Sequence, residues 1–197
     1  MWNGRIKNFL FYFIYFVILT LTLFRAEVSY SEAFSVPENT NISFQYEIAK
    51  ISFEGSFKIK KSIFDLDKEQ PENSKFILSF DLNQSSAGFF LATKAMLSKS
   101  VLYAKKHPEI SFKSIKVTYA NEQFKILGKL KIRGITKDVN LVVKPLGFKP
   151  RLLNSVSKPE FYISAIIERN IFGANGYSSI VGNKINLSSK VSLIRSF

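Results

Sequence analysis

From Ser35 onward, apolar and polar residues alternate along most of this chain. A period of two is the signature of a strand with one dry face and one wet face. In GKLKIRGITKDVNLVV, Gly128 to Val143, Leu130 and Ile132 alternate with Lys129, Lys131 and Arg133. Val139, Leu141 and Val143 resume the alternation beyond Gly134, so this stretch predicts two strands around a turn. Ile42, Phe44 and Tyr46 form an earlier set. Ile51, Phe53, Phe57 and Ile59 form another, with Gly55 at the same phase, where a bend or bulge would sit. Phe76, Leu78, Phe80 and Leu82 follow the polar turn DLDKEQPENS at Asp65–Ser74. Ile110 and Phe112 give way to Ile115, Val117 and Tyr119, and the change of phase at Lys113-Ser114 predicts a bulge. Phe124 and Ile126, then Phe161, Ile163, Ala165 and Ile167, and finally Ile185, Leu187, Val191 and Leu193 continue the scheme.

About eight such segments at short spacing predict an all-β fold, a closed antiparallel barrel whose closure leaves no exposed edges. Two stretches break the rule. Ala87 to Lys106 (AGFFLATKAMLSKSVLYAKK) lacks alternation and predicts a short helical segment that ends before His107-Pro108, since proline disfavours a helical predecessor. Leu146 to Pro159 carries Pro150 and Pro159 and predicts a loop. No internal repeat or linker divides the chain, so one domain over 34–197 follows the start.

The start changes the picture. Arg5 and Lys7 precede an uncharged run from Phe9 to Phe24, 16 residues long, and small residues follow Arg25. A basic end, an apolar run and a small-residue exit predict a secretory signal over 1–31, with Ser29-Tyr30-Ser31 or Ala33 at the exit. The run is short against the roughly 20 apolar residues of a comfortable span, which favours cleavage over an uncleaved inner-membrane anchor. With no cysteine, the chain has no disulfide framework and no lipidated cysteine. Both features suit an exported bacterial protein that folds without oxidative help.

The formal charge is +13, and +11 without residues 1–31. An exported protein has little occasion to meet nucleic acid, so an anionic membrane surface and a merely solvated basic exterior are the two readings of that charge. Twenty phenylalanines against one tryptophan suggest an interior lined with purely apolar rings, or simply a core filled by them.

Catalytic and metal chemistry find little support. His107 is the sole histidine, which removes any His/Cys metal cluster and leaves a Ser-His-Asp triad a single candidate, placed before a proline. Asp65, Asp67, Glu69 and Glu72 lack the glycine and final acid of a calcium loop and suit a solvated turn. Glu47, Glu54, Asp81 and Glu168 show no pairing by spacing, and GANGYSSIVG lacks the lysine of a phosphate loop. Arg169 ends an apolar strand in Arg169-Asn170-Ile171-Phe172-Gly173. It could close a barrel mouth, pair with an acid or meet a ligand headgroup.

Several motifs carry a family likeness in the right order. FSVPENTNISFQYEIAKISFEGSF at Phe34–Phe57, LSKSVLYAKKHPEISFKS at Leu97–Ser114, GKLKIRGITKDVNLVV, RNIFG and VGNKINL together resemble the YceI-like family of polyisoprenoid-binding periplasmic proteins. The likeness spans about Phe34 to Leu193. The chain departs from it at Pro37, at Asn39-Thr40, at His107, where the family often has an aromatic residue, and at Ile171 and Asn183, where an acid is common. The resemblance implies a lipocalin-like extended barrel holding an isoprenoid or similar long-chain lipid, a quinone included, with no cofactor and no catalysis. By phase, the cavity would be lined by Phe44, Phe53 and Phe57, by Phe76 and Phe80, by Phe89 and Phe90, and by Phe112, Phe161, Ile163 and Phe172, with Arg169 at the rim. An outer-membrane barrel, and an enzyme acting on a lipid-like substrate, are the alternatives. The oligomeric state is open, a dimer included.

Overall fold

The computed structural model describes residues 31–195 except 38, 68, 150, 151, 153–155 and 157. The signal expected over 1–31 lies outside the described residues apart from Ser31. The alternating segments form strands β1 (Ser31–Ser35), β2 (Asn41–Ile48), β3 (Ile51–Asp67), β4 (Lys75–Ser86), β5 (Glu109–Ala120), β6 (Gln123–Ile132), β7 (Ile135–Leu146), β8 (Glu160–Glu168), β9 (Lys184–Ser192) and β10 (Ile194–Arg195). One helix, α1 (Phe90–Leu97), lies between β4 and β5.

All pairings are antiparallel, and β3 to β4 closes the ring β3-β2-β9-β8-β7-β6-β5-β4, an eight-stranded barrel. The long strand β3 spans the barrel's height: residues 51–58 pair with β2, and residues 64–67 with β1. Thus β1 and β2 share one position in the wall, interrupted at 36–40, and β10 extends the wall beside β1. The seam between β2 and β9 is short. Only Phe44↔Leu187 and Gln45↔Asn186 pair there. Below them the buried Ser189 hydroxyl accepts from the Ser43 N–H (3.5 Å) and donates to the Asn41 carbonyl (3.4 Å), standing in for ladder bonds.

The stretch Gly128–Val143 forms the β6–β7 hairpin, its strands in register from Phe124↔Val143 to Ile132↔Ile135. Arg133 and Gly134 make the turn, both at positive φ, as the right-handed twist of a two-residue hairpin demands. The expected bulge in β5 is present, with a shift of detail. The register slips between Ser114 and Lys116, so Ile115 is the extra residue and points outward rather than in. Beside Gly55 the irregularity is larger: Ser56 pairs with Ser86 but Lys58 with Asp81. The Ser85 hydroxyl accepts the Lys58 N–H (3.1 Å) and donates to the Asp81 carbonyl (2.6 Å), so the excursion keeps its polar groups bonded.

The helix is shorter than 87–106. Ser98 turns to extended backbone (ψ 164°) after Leu97, and Tyr103 takes φ 53°, so turns rather than helix lead to Pro108.

One half of the barrel is filled. Phe64 meets Phe76 edge-on at 5.8 Å, Phe76 meets Phe124 at 6.2 Å, and Phe148 meets Phe161 at 5.3 Å. Phe34, Ile126 and Val191 are fully buried among them. The wet face of β5–β7 presents Lys113, Lys116, Lys125, Lys129, Lys131 and Lys144, all exposed.

Candidate functional site

The half of the barrel beneath α1 is not filled. Its deep part holds a cavity of about 80 Å³ lined by Ile42, Phe57, Phe80, Leu102, Ile110, Leu130, Ile132, Ile167, Phe172, Ala174, Leu187 and others. Nearer the mouth lies a cavity of about 270 Å³ between α1, the hairpin tip of β2 and the loop after Gly173. Phe44, Tyr46, Ile48, Ala87, Phe89, Leu91, Ala92, Met96, Val101, Tyr177, Ile180 and Val181 line it. Arg169 and Ile185 belong to both linings, and among the described residues Arg169 is the sole charged one in either.

Strand phase places these walls. Phe44 stacks on Phe57 at 4.4 Å and leans on Tyr46 at 5.9 Å. Phe44 projects over Gly55, its register partner, where any Cβ would overlap the ring. The Tyr46 hydroxyl donates to the Ala87 carbonyl at 2.7 Å, which ties β2 to the segment leading into α1. Burial holds its pKa above the ordinary 10.0, because the phenolate would be poorly solvated there.

Arg169 follows β8 and opens a single 3-10 turn, Arg169–Phe172, which ends at Gly173 with φ 68°. Its side chain is buried. Nε donates to the Gly182 carbonyl (2.9 Å), Nη1 to those of Ala174 and Gly176 (2.8 Å to the latter), and Nη2 to that of Val181 (2.9 Å). Four of the five guanidinium N–H groups thus hold the loop 174–182 against the barrel, and one is left for any ligand. Burial shifts the guanidinium pKa downward, and carbonyl dipoles rather than a carboxylate offset the charge.

The residues expected to line the cavity divide into four groups. Phe57, Phe80 and Phe172 line the deep cavity, and Phe44 and Phe89 the mouth. Phe53 stands behind them, against Tyr46 at 5.9 Å and Phe89 at 5.6 Å. Phe76, Phe112, Phe161 and Ile163 are buried but line neither cavity; they belong to the packed core. Phe90 lines neither and is exposed, because α1 turns it outward. The linings also use aliphatic residues that the focus on phenylalanine passed over. Ile42, Ile110, Leu130, Ile132, Ile167 and Leu187 were visible by the same phase. Leu102, Val101, Tyr177 and Ile180 lie in turns and loops, where no period marks them.

Among the described residues, no group of three or more His, Cys, Asp or Glu is placed to hold a metal. His107 packs edge-on against Tyr103 at 5.9 Å and beside Gly134.

The profile of the YceI-like domain matches residues 35–193. A UPF0312 protein of Pectobacterium carotovorum is 30% identical over 93 residues, which are 47% of this chain and 48% of that protein. Protein YceI of Salmonella arizonae is 28% identical over 93 residues, 47% of this chain and 49% of its own length. The chain thus spans about half the length of the curated relatives it matches. Among solved structures, BcnA of Burkholderia cenocepacia superposes with a TM-score of 0.67 at 19% identity, over 78% of this chain and 94% of its own. A YceI protein of Campylobacter jejuni does so at 0.62 and 23%, over 73% and 84%. A polyisoprenoid-binding domain from Saccharophagus degradans does so at 0.57 and 9%, over 84% and 99%. The closed barrel, the apolar cavities beneath α1 and the match over 35–193 lead to one conclusion: this chain belongs to the YceI-like family.

Proposed function

We propose that this protein is a non-catalytic lipid carrier of the periplasm that holds the end of an isoprenoid or similar long apolar chain, a quinone tail included. One observation carries the reading: two cavities, about 80 and 270 Å³, share Arg169 and Ile185 and have no other charged residue in their linings among the described residues. Ligand pockets usually run to roughly 300–1,000 Å³, so this space suits a few isoprene units rather than a forty-carbon chain. The longer part of a cargo chain would extend through the mouth. The polyisoprenoid-binding domain of Saccharophagus degradans, similar in fold, supports the class of cargo.

Each methylene moved from water is worth about 0.8 kcal/mol, but the alternative home of such a chain is a bilayer, where it is already dry. Exchange between bilayer and cavity is then close to neutral, which suits loading and unloading. Selectivity comes from cavity length and branching fit, and the guanidinium N–H left on Arg169 is one contact for a polar group or double bond on the buried end of the cargo. The basic exterior adds attraction to anionic membranes.

An outer-membrane barrel is disfavoured by the lysines on the wet face of β5–β7, where such a barrel presents an apolar band. Among the described residues, the cavity linings hold no serine, cysteine, histidine or carboxylate from which a nucleophile–base pair could be built, which disfavours the enzyme reading.

The test is mass spectrometry on an organic extract of the gently purified mature chain. An isoprenoid at about one per chain supports the carrier; an empty extract from folded protein overturns a constitutive one.

A further inference from the structure

Exposed apolar side chains concentrate where the cavity opens. Phe90 is 76% exposed and Leu91 69%, both at the first turn of α1, and Ile51 at the β2–β3 tip is 63% exposed. Phe89, Tyr177 and Ile180 are also exposed, and with Leu91 they line the mouth. The pieces are joined: the Ala49 N–H donates to the Ile180 carbonyl at 2.8 Å, Ile48 pairs with Ile51, and Phe89 leans on Phe53 at 5.6 Å. Exposed apolar groups scattered singly need no explanation, whereas a contiguous set around an opening marks a contact surface.

Charge selects the occupant. Lys50 stands at the β2–β3 tip, Lys94 on α1 and Lys99 just beyond it, all exposed. The nearby acids are Glu47 on β2 and Glu54 on β3, and without residues 1–31 the chain carries +11. A second copy docked rim to rim would set these lysines against each other. Anionic headgroups would neutralise them while the acyl region takes the rings.

We propose that the rim of Phe90, Leu91, Ile51, Tyr177 and Ile180 inserts into an anionic phospholipid bilayer and points the mouth cavity at the membrane interior. This rests on the carrier reading and adds an orientation to it: cargo would pass between bilayer and cavity without crossing water.

The experiment is co-sedimentation of the mature chain with phosphatidylglycerol–phosphatidylethanolamine vesicles, comparing wild type with Phe90→Glu, Ile51→Glu and Ile115→Glu. Phe90 and Ile51 line neither cavity, and Ile115 is an exposed apolar residue at the β5 bulge. The expected result is a loss of about tenfold in vesicle affinity for each rim variant, the scale of one large apolar side chain left in water, and little change for Ile115→Glu. Equal binding by all four proteins, or equal loss in all three variants, overturns the proposal in favour of general basic attraction. So does a wild-type dimer in sedimentation velocity that the rim variants convert to monomer, because the rim would then serve a second copy. Bound lipid is measured in the same preparations. An empty extract with rim-dependent docking sinks the carrier reading alone; a loaded protein that docks independently of the rim sinks the orientation alone.

Discussion

The ring of Phe44 lies across the backbone of Gly55, its register partner on the neighbouring strand. A Cβ at position 55 would overlap that ring and crowd the Ser86 carbonyl. Glycine is therefore required here by space, since it is neither in a turn nor at positive φ. Phe112 covers Gly128 in the same way on β5 and β6. Gly55→Ala should cost about 1–3 kcal/mol, the usual penalty of overpacking. The check is the midpoint of urea unfolding, with bound lipid measured beside it, because a displaced Phe44 also deforms the mouth.

Arg169→Met should be among the most damaging single changes. It keeps the apolar stem but removes four hydrogen bonds to the loop carbonyls of residues 174–182. Bonds from a charged donor contribute about 1.5–3 kcal/mol each in isolation, and they do not add, so a total of about 3 kcal/mol or more is expected. Hydrogen exchange would show lost protection at Gly176 and Val181 before global unfolding. Arg169→Lys should rescue little, because one ammonium cannot span the fork.

Tyr46→Phe removes the hydroxyl that donates to Ala87 and should cost about 1 kcal/mol. The pH dependence has a definite sign. The folded phenol titrates above the ordinary 10.0, so its contribution is fully present below pH 10 and is lost as the pH rises through the folded value. Alkaline unfolding curves of wild type and Tyr46→Phe should therefore converge above pH 10, and the phenolate absorbance of wild type should contain a late-titrating component that Tyr46→Phe lacks.

Ala92→Phe should close the mouth from within. Ala92 is half-buried on α1 and faces a cavity of about 270 Å³, which can admit the ring. The helix-propensity cost is only about 0.5 kcal/mol. Thermal unfolding should barely move while bound lipid falls sharply. Undiminished lipid in this variant would mean that the cargo sits elsewhere.

The barrel could be read from the chain because burial on one face imposes a period of two, and a slip of one residue would invert every side chain. Phe76, Leu78, Phe80 and Leu82 show this plainly, all buried on one strand. Phase says which side is dry but not whether dryness means ligand or packing. Phe80 borders a cavity and Phe76, on the same face of the same strand, sits in a cluster of edge-on aromatic rings. That difference is set by height along the barrel, which depends on shear and on bulges such as the one beside Gly55. Phe90 shows a second limit: outside the alternating segments, period two no longer assigns a face. The Arg169 fork was visible only as an arginine before a glycine, since its acceptors are main-chain oxygens that any sequence supplies.

The seam between β2 and β9 has a consequence for how the chain acquires its shape. The Ser189 hydroxyl meets Ser43 and Asn41, partners 146 and 148 residues away along the chain. The other ladders of the ring join strands that are neighbours in the chain, so they can zip in sequence from β2 through to β9. The last closure must then bring together segments near the two ends of the domain, and its entropic cost falls due only after synthesis reaches β9. Until then the unpaired edge of β2 and the aromatic interior are open to other chains. A nascent chain held short of Ser189 is expected to aggregate rather than fold, and the completed barrel to form in milliseconds to seconds rather than microseconds.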